Sequence, residues 1–65
     1  MNYLLVALKA KLEGEIEVAK ANVMVYQRNS VGIGEHPDVV EAIETQIAKI
    51  AEAEDKLETI NKHFS

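Results

Sequence analysis

Apolar residues return every three or four positions along two stretches of this chain, on either side of a short glycine-bearing interruption. In the first stretch Met1, Leu5, Leu8, Leu12, Ile16, Ala19, Val23 and Tyr26 keep that spacing. In the second, Val39, Ile43, Gln46, Ile50, Ala53, Leu57, Ile60 and Phe64 keep it with one polar member. A period near 3.6 residues places each set on one face of an α-helix. The interruption, residues 29–37, holds Gly32, Gly34 and the only proline, Pro37. Pro37 suits the first turn of a helix, and Asp38 with Glu41 three residues on resembles a capping box, so the second helix starts at one of two neighbouring positions. The expectation is one all-α domain over residues 1–65, with a helix at about 2–28, a loop at about 29–36 and a helix at about 37–63. Each helix would be about 26 residues and roughly 39 Å long. Two such helices on a short link pack antiparallel.

Folding the chain at Gly32 pairs residues whose numbers sum to about 65. Tyr26 then meets Val39, Val23 meets Ile43, Ile16 meets Ile50, Leu8 meets Leu57, Leu5 meets Ile60 and Met1 meets Phe64. Only the Ala19–Gln46 layer is mixed, and this registration suits knobs-into-holes packing. The predicted core within the hairpin is Leu5, Leu8, Leu12, Ile16, Val23, Tyr26, Val39, Ile43, Ile50, Leu57, Ile60 and Phe64. Away from this seam the second helix carries Glu41, Glu44, Thr45, Lys49, Glu52, Asp55, Lys56, Thr59 and Lys62, a solvated face with Glu52–Lys56 and Glu58–Lys62 in the favourable i,i+4 order.

The first helix differs. Tyr3, Ala7, Ala10, Gly14, Val18, Ala21 and Val25 form a second stripe, nearly opposite the first at 100° per residue. Glycine inside a helix is unfavourable by about 1 kcal/mol, and small residues around it let another helix backbone approach closely. This stripe is the predicted oligomer interface, joining two hairpins as a homodimeric four-helix bundle. The alternatives are that its small residues serve helix propensity alone, or that another protein covers the stripe.

Composition sharpens the need for a partner. A chain of 65 residues buries only about 60% of its unfolded surface. Without cysteine, neither disulfides nor thiolate zinc sites can reinforce it, and His36 and His63 stand at opposite ends of the second helix. Oligomerisation is the remaining remedy. The net charge of −4 is uneven, because residues 35–65 hold eight acids against Lys49, Lys56 and Lys62. Neither half is a phosphate-neutralising patch, which disfavours general nucleic-acid binding. The apolar run Tyr3–Leu8 is far below the ~20 residues of a membrane span, and no basic segment precedes it as in a signal peptide. The expected compartment is the cytoplasm.

Little chemistry can be drawn. Ser30 and Ser65 lie in the predicted loop and at the terminus, no Ser–His or Cys–His arrangement is available, and two helices enclose no cleft. No Glu-x-x-His motif of di-metal bundles occurs, and Glu15 and Glu54 border apolar seams as snorkelling side chains. Gly32 and Gly34 before a helix start could cradle an anion, but no lysine follows them and a turn explains both. No catalytic, cofactor or metal residue is assigned. Asn2, Lys9, Lys20, Gln27 and Arg28 share one side of the first helix, interrupted by Glu13. In length and architecture the chain resembles the plasmid repressor-of-primer regulator, and that resemblance implies RNA binding along such a face, kept here as a minor alternative.

Residues 32–44, with Ile47, Ala48, Lys49, Ile50 and Ala51, resemble segments of small uncharacterised helical proteins encoded by bacteriophages. The resemblance implies a virus-encoded accessory factor acting in a host cytoplasm. The leading expectation is therefore a small non-enzymatic, self-associating accessory or structural protein. The alternative is an adaptor or inhibitor that offers the same first-helix stripe to a host protein.

Overall fold

The computed structural model describes residues 3–33 and 36–65, with side chains described for 3–28 and 38–65. Helix α1 spans Tyr3–Ile33 and helix α2 spans His36–Phe64, and no strand occurs among the described residues. α1 continues past the expected stop near residue 28 and takes in Gly32, so the expected loop at 29–36 is shorter than the sequence suggests. Glycine weakens a helix by about 1 kcal/mol but keeps its N–H, and only proline removes that donor and blocks the preceding turn. Met1, Asn2, Gly34 and Glu35 lie outside the described residues, and with them the expected Met1–Phe64 layer and the candidate anion cradle.

α2 begins at His36, which puts Pro37 in the first turn, where its missing N–H is not needed. Asp38 stands in that turn and Lys62 and His63 in the last, each charge opposing the helix dipole. α1 has no acid in its first turn and no base in its last. The molecule is a rod of 47 × 15 × 12 Å. Helices of 31 and 29 residues rise about 46 and 44 Å, so the two lie side by side along nearly the whole rod. Two residues separate them in sequence, too few for a crossover, and they form an antiparallel hairpin.

The seam is narrow. Leu12, Ala19, Val39, Ala53 and Ile60 are buried with Gln46, and Leu12 is the one large side chain that is fully enclosed among the described residues, at 1% exposure. Leu12, Ala53 and Ile60 form one cluster, with Ile16 and Leu57 packed against it. Leu5, Val23, Tyr26, Ile43 and Ile50 are half-buried. Two expected core residues are not in the core. Leu8 is 39% exposed, and half-buried Lys9 takes the seam position beside it. The reason is geometric. Apart from half-buried Asn22, the buried and half-buried positions of α1 run Leu5, Lys9, Leu12, Ile16, Ala19, Val23 and Tyr26, alternating steps of four and three. That is the strict seven-residue repeat of two supercoiled helices, and it turns Leu8 to the flank while the Lys9 stem covers the seam. Phe64 is 58% exposed and rests edge-on against His63, ring centroids 6.3 Å apart.

The mixed layer is satisfied from an unexpected side. Gln46 is 8% exposed, and the Asn22 amide donates to its Oε1 at 3.1 Å across the seam. No buried side-chain nitrogen or oxygen lacks a hydrogen-bond partner among the described residues. A single polar contact inside an apolar seam penalises slipped registers, where the amides would be buried without partners.

Candidate interaction surface

A helix in a two-helix hairpin has one neighbour, so most of its circumference faces outward. On α1 one side of that outward surface is apolar. Tyr3, Ala7, Ala10, Gly14, Val18, Ala21 and Val25 are all exposed, with Tyr3 at 79%, Val18 at 63% and Val25 at 55%. Leu4, Val6, Leu8 and Met24 add further exposed apolar area on the same helix. Within this surface Ala7, Gly14 and Ala21 stand seven residues apart, so one small residue recurs at every second turn along one line. A Cβ added to Gly14 would meet nothing within 4 Å. The fold of a single hairpin therefore places no demand for glycine at this position.

Charges frame this surface. Lys11 pairs with Glu15 at 2.7 Å, and Lys20 pairs with Glu17 at 3.4 Å. The hydrogen bond from Lys11 holds the Glu15 carboxyl below the ordinary glutamate value against an opposing desolvation effect, and the Lys11 and Lys56 charges act in the same direction as the bond. Beside Gly14 a shallow groove runs between the helices. Its floor is made by buried Ala19 and Ala53, with Val18, Asn22 and Gln46 along it and Lys11, Glu15, Lys49, Glu52 and Lys56 at its edges. The lining offers ammonium, carboxylate and amide groups and no hydroxyl, thiol or imidazole. Among the described residues no three histidine, cysteine, aspartate or glutamate side chains converge as a metal site would require.

α2 turns a more polar surface outward. Glu41, Glu44, Glu52, Asp55, Lys56, Thr59 and Lys62 are exposed, and Glu52 pairs with Lys56 at 3.1 Å in the expected i,i+4 order. Val40 and Ile47 are exposed among these charges, two apolar positions that the charged-face expectation leaves out. The basic side of α1 does not form a continuous strip among the described residues. Lys9 lies half-buried at the seam, and Lys20 is paired with Glu17. No described helix is long and apolar enough to cross a membrane. Asn22 is the participant that sequence reasoning missed. The signal was present: one seam layer had an amide, and an asparagine lay within a turn of it on the facing helix. No known protein family, functionally described protein or solved structure matches the chain.

Proposed function

We propose that this chain is a self-associating, non-catalytic accessory or structural module, which dimerises through the outward face of α1 into a four-helix bundle. One observation carries the reading: the whole second stripe of α1 is exposed, and Gly14 at its centre has open space where a side chain would stand. Surface area supports it. A compact protein of 7.2 kDa exposes about 4,100 Å², whereas this rod exposes 4932 Å². The excess is comparable to the roughly 800 Å² that one partner contributes to a stable interface. The thin seam supports it too, since a hairpin with one fully enclosed large side chain has little burial to set against chain entropy. Sedimentation over a concentration series tests the proposal. A dimer at micromolar concentration is the expected result. A folded monomer throughout that range would rule out self-association and leave the adaptor reading, in which another protein covers the same stripe.

A further inference from the structure

We draw no further inference here: the strongest candidate, the exposed apolar face of α1 around Gly14, carries nothing beyond the self-association already proposed, because nothing in the structure shows what covers it or in which direction a partner helix would run.

Discussion

Both helices contribute to one seam, yet their outer surfaces have little in common. Away from the seam α2 is mostly charged, and its ends carry Asp38 and then Lys62 and His63 in the order the dipole favours. α1 has neither compensation and spreads Tyr3, Leu4, Val18, Met24 and Val25 over surface that its own chain leaves open. α2 therefore has the features of a helix content with one neighbour and water, whereas the exposed apolar positions of α1 are the basis for proposing a second neighbour. The contrast is one of degree at Val40 and Ile47, which interrupt the polar surface of α2. On the proposed reading, one helix keeps its outer face in water and the other gives its outer face to a partner.

The largest expected effect tests where the seam runs. Leu12→Ala removes the most enclosed large side chain and should destabilise the hairpin by about 2–5 kcal/mol, a large fraction of what so small a protein has. Leu8→Ala, four residues away at an exposed flank, leaves no cavity and should change hairpin stability by only about 1 kcal/mol. Urea titrations followed by circular dichroism compare the two. Equal losses would return Leu8 to the seam and Lys9 to the flank.

The amide pair comes next. Asn22→Ala strips the donor from nearly buried Gln46 and should cost about 1–3 kcal/mol. Asn22→Leu combined with Gln46→Leu should recover most of that stability while relaxing the register of the two helices. A double-mutant cycle with a coupling below about 0.5 kcal/mol would show that the hydrogen bond does not tie them together.

These two cases show what the sequence made legible. The helices, their antiparallel pairing and the stripe around Gly14 follow from periodicity, because burial of one face imposes the spacing of three and four. The exchange of Leu8 for Lys9 was hidden. Hydropathy favours leucine at any buried position, whereas the register of two long helices is set by the whole repeat and tolerates one lysine stem on it. The extension of α1 through Gly32 was hidden as well, since a glycine is compatible with both a helix end and a helix interior. Asn22 went unrecognised because a polar residue beside a seam reads as solvent-facing until its partner is known.

The smallest effect lies at the edge of the α1 surface. Glu15 titrates below the ordinary glutamate value because Lys11 bonds to its ionised form. A lowered folded-state pKa contributes stability above the ordinary carboxylate range, and that contribution disappears as pH falls through the lowered value. The pair is solvent-exposed, so salt should weaken it. Carboxyl carbon-13 titration should find Glu15 ionising at lower pH than in a Lys11→Met variant. Identical midpoints would remove Lys11 as the cause.

Gly14→Leu bears most directly on the central claim that α1 serves a second neighbour. On a hairpin that remains alone, leucine enters open space and improves helix propensity, so the variant should melt higher, by up to about 1 kcal/mol of stability. If two α1 backbones approach at Gly14, leucine forces them apart, and overpacking of this kind costs about 1–3 kcal/mol at each of two symmetric sites. Sedimentation and thermal melts of parent and variant over one concentration series measure both quantities together. The account predicts a parent dimer whose Tm rises with concentration, and a Gly14→Leu chain that is lighter and melts lower. A variant that melts higher at the parent's sedimenting mass would contradict it.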